Sequence, residues 1–119
     1  MIRAIATAVF CLFTAPVLAQ EASSANGAMI RVLDKTTGST VDLEMSVGET
    51  KHEGRLEIYL GDCRYPAGNP SGDAFALLAI LPRGQDELAF RGWMVASSPA
   101  LNAMDHPRYD VWVLRCTTS

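Results

Sequence analysis

Apolar and polar positions alternate with period two along much of this chain. Thr40 to Val47 shows the pattern most cleanly. Val41, Leu43, Met45 and Val47 fall on one side, and Asp42, Glu44 and Ser46 on the other. Successive side chains of an extended strand point to opposite faces, so this segment reads as a half-buried strand. Met29 to Asp34 precedes it and reads as a partner strand across Lys35-Thr36-Thr37-Gly38-Ser39, a turn with Gly38 available for positive φ. Gly48-Glu49 turns the chain again. Thr50 to Glu53 is polar and carries His52, read as a solvent-facing edge histidine. Beyond Gly54, Leu56, Ile58 and Leu60 alternate against Arg55, Glu57 and Tyr59, a third strand that ends in Gly61-Asp62-Cys63.

Arg64 to Asp73 is rich in proline and glycine and reads as a loop. Ala74 to Leu81 is continuously apolar and bounded by turn residues. That fits a central strand buried on both faces, with a helix as the other reading. Glu87 to Val95 resumes as a strand, with Leu88, Phe90 and Trp93 facing the core and Gly92 marking a bulge or a close backbone approach. Ser98 is a natural N-cap and Pro99 a natural first helical residue, so one or two helical turns are expected, with Leu101 and Met104 inward. Pro107 ends them. Tyr109 to Arg115 is apolar on both faces and reads as a central strand, with Trp112 in the core. These elements predict a mostly β fold: a small single-domain sandwich or barrel of about six or seven strands with one short helix.

The first residues change the picture of where this domain works. Met1-Ile2-Arg3 carries one positive side chain, Ala4 to Phe13 is mostly apolar, and Val17-Leu18-Ala19 places small or medium residues before Gln20. That order is the pattern of a secretory signal peptide over 1–19. Residues 20–27 (QEASSANG) read as a disordered leader. The single β-rich domain is then 28–119, in the periplasm or outside the cell. Formal net charge is −3, and about −4 once Arg3 leaves with the signal. With no basic patch, nucleic acid is not an expected partner. No stretch of the mature chain is long and apolar enough to span a bilayer.

Cys11 lies in the signal, which leaves Cys63 and Cys116. An even pair in an exported protein reads as a disulfide, closing a loop of roughly 54 residues and contributing roughly 2–4 kcal/mol. No metal site is expected, because two distant histidines without a CxxC or an acidic calcium loop do not supply converging ligands. No cofactor is implied.

The stretch from Phe90 to Cys116, FRGWMVASSPALNAMDHPRYDVWVLRC, is the most distinctive wording in the chain. From Gly92 onward it resembles the signature of domain-of-unknown-function family 2155, exported bacterial proteins common in alphaproteobacteria. Leu33-Asp34-Lys35 with Thr37-Gly38, Val47-Gly48-Glu49, and Gly54 to Ile58 before Cys63 resemble it too, so the likeness spans nearly all of the mature chain. The loop after Cys63 departs from it, being YPAGNPSGD where the family's loop is longer and richer in proline and glutamate. The resemblance implies an address, the Gram-negative periplasm or the inner face of the outer membrane, and does not itself point to an activity.

Ser97, Ser98, Asp105, His106 and Asp110 contain the letters of a hydrolase triad. Spacing alone supplies neither a serine on a sharp turn nor an oxyanion donor pair. Asp105 and His106 are the catalytic candidates on that reading. The other reading has Ser98 capping the short helix while Asp105 and His106 satisfy loop backbone groups. For binding, Tyr65, Trp93, His106, Arg108 and Tyr109 are the candidates, since aromatic and arginine side chains are enriched at binding hot spots. The loops 64–73 and 96–108 are expected to lie side by side and present these residues together. The expectation is a non-catalytic binding or envelope-assembly accessory module with an envelope protein or cell-wall component as partner. The alternative is a small periplasmic hydrolase of an envelope polymer.

Overall fold

Eight strands form among residues 21–118, the part of the chain that the computed structural model describes. The signal-peptide reading of 1–19 lies outside the described residues. In chain order the strands are β1 (Ala22–Ser24), β2 (Gly27–Asp34), β3 (Ser39–Ser46), β4 (Thr50–Glu53), β5 (Leu56–Pro66), β6 (Phe75–Pro82), β7 (Phe90–Val95) and β8 (Tyr109–Thr117). Every pairing is antiparallel. The larger sheet runs β1-β5-β6-β7 with β4 also on β5, and the smaller runs β3-β2-β8. Of the two expected architectures, the chain forms the sandwich of open sheets.

The alternation read from the sequence sets the core. Leu56, Ile58 and Leu60 of β5 stand opposite Pro82, Ile80 and Leu78 of β6. Ile80 and Ala76 stand in turn beside Phe90 and Met94 of β7. From the smaller sheet, Ala28, Ile30 and Val32 of β2 and Val111 and Val113 of β8 are buried, with Met45 of β3. Each fully buried Leu, Ile or Val contributes about 1.5–3 kcal/mol.

The disulfide depends on two breaks in this alternation. On β5 the register shifts between Leu60 and Asp62, so Gly61 is the extra residue and Cys63 turns inward. On β8 Val113 and Arg115 pair with consecutive residues of β2, which leaves Leu114 as the extra residue and turns Cys116 inward. A one-residue shift exchanges the faces of everything beyond it. The two cysteines therefore meet across the sandwich, both buried, with Cα atoms 5.8 Å apart and the sulfurs bonded. The other ends of the same strands meet where the Tyr109 hydroxyl accepts a hydrogen bond from the Arg55 N–H at 3.2 Å. So β8 lies across β5 in the same direction, fastened at both ends.

Several elements differ from the sequence reading. Residues 22–24, taken as part of a disordered leader, form β1 on the edge of β5; Ala25 N–H then bonds Cys63 C=O, and the chain crosses into the smaller sheet. Three polar residues carry no periodicity, and backbone pairing alone recruits them. That pairing also extends β5 to Pro66, past the expected strand end at Cys63. The apolar strand β6 is buried on one face and half-buried on the other, where both had been expected in the core. Leu88 and Trp93 are exposed. The short helix is a 3-10 turn, Pro99–Asn102, whose N-cap Ser98 makes no side-chain cap bond. Leu101 points outward, 76% exposed, while Met104 is buried as expected. Strand β8 is at the edge of its sheet rather than central, and Trp112 is half-buried on its outer face.

Candidate functional site

The residues around His106 form a corner that fastens the β2–β3 turn to the start of β8. His106 Nδ1 accepts the backbone N–H groups of Arg108 and Tyr109, both at 3.1 Å. Lys35 Nζ donates to the His106 carbonyl at 2.7 Å, and the Lys35 N–H donates to the Arg108 carbonyl at 2.7 Å. The Arg108 guanidinium sits 5.2 Å from the Tyr109 ring centroid and reaches Asp34 Oδ2 through Nη2 at 3.1 Å. Its hydrogen bond is the main cause that holds the Asp34 carboxyl below the usual carboxylate range. Tyr109 is itself buried, its ring 5.5 Å from that of His106. His106, Arg108 and Tyr109 thus each make contacts that hold the fold, while the Arg108 side chain stays exposed.

The triad letters do not converge. Ser97 Oγ donates to Asp73 Oδ2 at 2.6 Å, and the N–H groups of Ser97 and Ala74 both donate to Asp73 Oδ1 at 2.9 Å. Burial pushes the Asp73 carboxyl up, but these bonds outweigh it and its pKa lies below the ordinary value. Asp73 thus ties the loop before β6 to the loop after β7. The two loops expected to be neighbours are neighbours, joined by this carboxylate and by the Phe75–Val95 pairing of β6 and β7. Asp105 is exposed and bonds neither serine nor His106, whose Nδ1 lone pair the two amides take up. Among the described residues no group of three His, Cys, Asp or Glu side chains converges as a metal set.

The five binding candidates lie in different places. Tyr65 is on the core side of β5, half-buried against the hydrophobic cluster. Tyr109 meets Arg55 beside the start of β5, so ten residues of extended chain, about 30 Å, separate it from Tyr65. Trp93 is on the opposite, outer side of the larger sheet.

Three of the exposed large hydrophobics of the described chain, Tyr59, Leu88 and Trp93, gather on that outer side. Across the strands, Tyr59, Ala79 and Arg91 form one row, Asp62, Leu77 and Trp93 the next, and Arg64, Phe75 and Val95 a third. Tyr59 and Leu88 are each 43% exposed and Trp93 37%. Arg64 lies 5.4 Å from the Trp93 ring centroid, and its Nε donates to Asp62 Oδ2 at 2.9 Å. Two hollows open on this face. One of about 260 Å³ is lined by Ala22, Arg64, Phe75 and Trp93. The other, about 280 Å³, is lined by Tyr59, Leu77, Leu78, Ala79, Leu88 and Arg91. Asn102 steadies this region by donating from Nδ2 to the Trp93 carbonyl at 2.9 Å, across Gly92, where a Cβ would stand 3.0 Å from that nitrogen. A bulge or a close backbone approach was expected at Gly92; what comes close is the Asn102 side chain, with no register shift. A hollow elsewhere, between Met45 and Thr117, is lined by Asn26, Glu44 and hydroxyl side chains and has no aromatic side chain.

Sequence reasoning found Trp93 and missed Tyr59, Leu77, Leu88 and Arg91. Two signals pointed to Tyr59 and Leu77. Tyr59 is an aromatic on the polar side of an alternating strand, and the run at 74–81 has more apolar positions than a one-sided strand needs.

A family model described as "Uncharacterized protein conserved in bacteria (DUF2155)" matches residues 28–116. Those bounds run from the second residue of β2 to the second disulfide cysteine, and take in both hollows apart from Ala22. "Uncharacterized protein RP359" of Rickettsia prowazekii (strain Madrid E) is 33% identical over 94 residues, which is 76% of this chain and 60% of the relative. The chain therefore spans about 60% of the length of that curated relative. No solved structure matches.

Proposed function

The chain belongs to the bacterial family DUF2155, and from that footing we propose that it is an exported, non-catalytic binding module that docks an envelope protein through the outer face of its larger sheet. The observation that carries this reading is the grouping of Trp93, Tyr59 and Leu88, all exposed, around the half-buried row of β6 on one face. Contiguous apolar surface of this kind marks interaction sites, and tryptophan, tyrosine and arginine dominate interface energies. A signal-like N-terminus and a buried disulfide between the sheets both suit an oxidising compartment outside the cytoplasm. Scaffolding or stabilising an envelope complex is work that such a module does without chemistry of its own.

Capture from periplasmic and envelope extracts tests the reading. The oxidised domain is compared with a Trp93→Ser, Tyr59→Ser double variant and with Arg108→Ala. A species held by the native domain and by Arg108→Ala, and lost by the double variant, is the expected result. Loss on Arg108→Ala alone returns the function to the His106 corner. Identical lanes for all three overturn the docking reading.

A further inference from the structure

We infer that the outer face of the larger sheet recognises an extended polypeptide segment carrying alternate apolar side chains and a carboxylate that pairs with Arg91. The inference rests on the docking reading above and adds the chemistry of the partner.

The two hollows give the shape of the occupant. Each, at about 260 and 280 Å³, falls below the ~300–1,000 Å³ of an ordinary small-molecule site. Each is the right scale for one side chain. Arg64 and Phe75 line the first hollow and Tyr59 and Ala79 the second, so along β6 they are offset by about four residues. Four residues of strand span about 13 Å, which is also the separation of side chains i and i+4 in any extended peptide. A segment lying along β6 and β7 therefore sets side chains i and i+4 of one alternating face into the two hollows. Walls made largely of Phe75, Leu77, Ala79, Leu88 and the aromatic rings suit apolar side chains. They supply few of the hydrogen-bonding groups that a sugar chain would need.

Arg91 gives the charge. On this face Arg64 is paired with Asp62, and His52 with Glu57 at 3.1 Å. Arg91 makes no ion pair or hydrogen bond among the described residues. It stands at an apolar hollow as a cation without a counter-ion, the place where a partner's carboxylate gains most. The chain as a whole is acidic, with formal net charge −3. Bulk electrostatics thus favour a basic peptide, and a preference for an acidic one is a local property of Arg91.

Two synthetic octapeptides provide the test, each alternating leucine with serine, with one leucine replaced by aspartate in the first and by lysine in the second, so that the charge shares the leucine face. Each is titrated into the oxidised chain at low and moderate salt while backbone amide shifts are followed by NMR. The expected result is shifts confined to residues of β5, β6 and β7 around Tyr59, Leu77, Arg91 and Trp93. The aspartate peptide should bind about five- to tenfold tighter than the lysine peptide, a margin that shrinks as salt rises. Arg91→Gln should erase the margin while leaving the apolar part of the binding. Equal or reversed preference overturns the carboxylate assignment. Binding of an anionic glycan, or a dimer in sedimentation that Trp93→Ser abolishes, with neither peptide bound, overturns the polypeptide partner and leaves the docking face standing. No response of this face to peptide, glycan or a second copy overturns both.

Discussion

The two sheets bury one face each, and their outer faces meet water in different ways. On the smaller sheet, Arg31 of β2 grips Asp42 of β3 through Nε at 2.7 Å and Nη2 at 2.9 Å. This cross-strand pair sits among Met29, Leu33 and Trp112, all half-buried. The hydrogen bond from Arg31 is the main cause that holds the Asp42 carboxyl below its usual range, and its partner guanidinium is held correspondingly high. On the larger sheet the row Phe75, Leu77, Ala79 and Leu81 lies between Tyr59 and Trp93, and Arg91 has no acid. The smaller sheet's outer face also carries Arg115 without an ion pair among the described residues, although its charge acts on Asp42. On the larger sheet the cation stands beside exposed aromatic rings. Neither apolar content nor an unpaired cation separates the two faces, since both have them; the exposed rings of Tyr59 and Trp93 do.

The coarsest way to break the comparison is to let the sheets part. Removing the bridge with Cys63→Ala and Cys116→Ala should lower stability by about 2–4 kcal/mol in urea unfolding. Gly54→Ala strikes the other fastening. Gly54 has φ +57, and a Cβ there would stand 2.5 Å from the Tyr109 hydroxyl. Strain at that position should cost about 1–3 kcal/mol, seen as a lower melting temperature. Asp73→Ala frees two backbone amides and the Ser97 hydroxyl and should cost about 1–2 kcal/mol.

Acid sharpens the comparison. Asp34, Asp42 and Asp73 all have folded pKa values below the ordinary one. Their stabilisation is therefore complete above the unfolded value near about 3.9 and is lost as pH falls through the lower folded values. The urea midpoint should hold steady down to about pH 5 and drop below about pH 4. Asp34→Asn, Asp42→Asn and Asp73→Asn together should start from a lower midpoint and flatten that drop. Smallest in stability is Trp93→Ser, which should change unfolding by less than about 1 kcal/mol, because the ring is already part-exposed. Capture of the partner should nonetheless be lost, an effect on binding without one on folding.

Much of the fold was legible because period two is a local signal. The hairpin at 29–47, the strand from Leu56 and the disulfide pair all follow from residue order. β1 and β4 carried no such signal, since short polar strands owe their place to β5 rather than to their own side chains. The breaks in phase are readable in the residue order. Leu60 to Cys63 and Val113 to Cys116 each step by three where alternation demands two, and that mismatch in both strands marks the bulges that let the cysteines meet. The candidate site was less legible. His106, Arg108 and Tyr109 attract notice by residue type, and no local pattern shows that they also pair with Asp34 and the backbone. Exposure at Trp93 and Tyr59 depends on which face of the sheet meets the other sheet, a tertiary fact that no local pattern carries.

In-cell photo-crosslinking from the two outer faces compares them most directly. A photoreactive residue is placed at Leu77 on the larger sheet or at Leu33 on the smaller, in the otherwise native, oxidised chain. A discrete adduct from position 77, absent from position 33, is the predicted result. Adducts from position 33 alone, or equal adducts from both, would contradict the assignment of docking to the larger sheet.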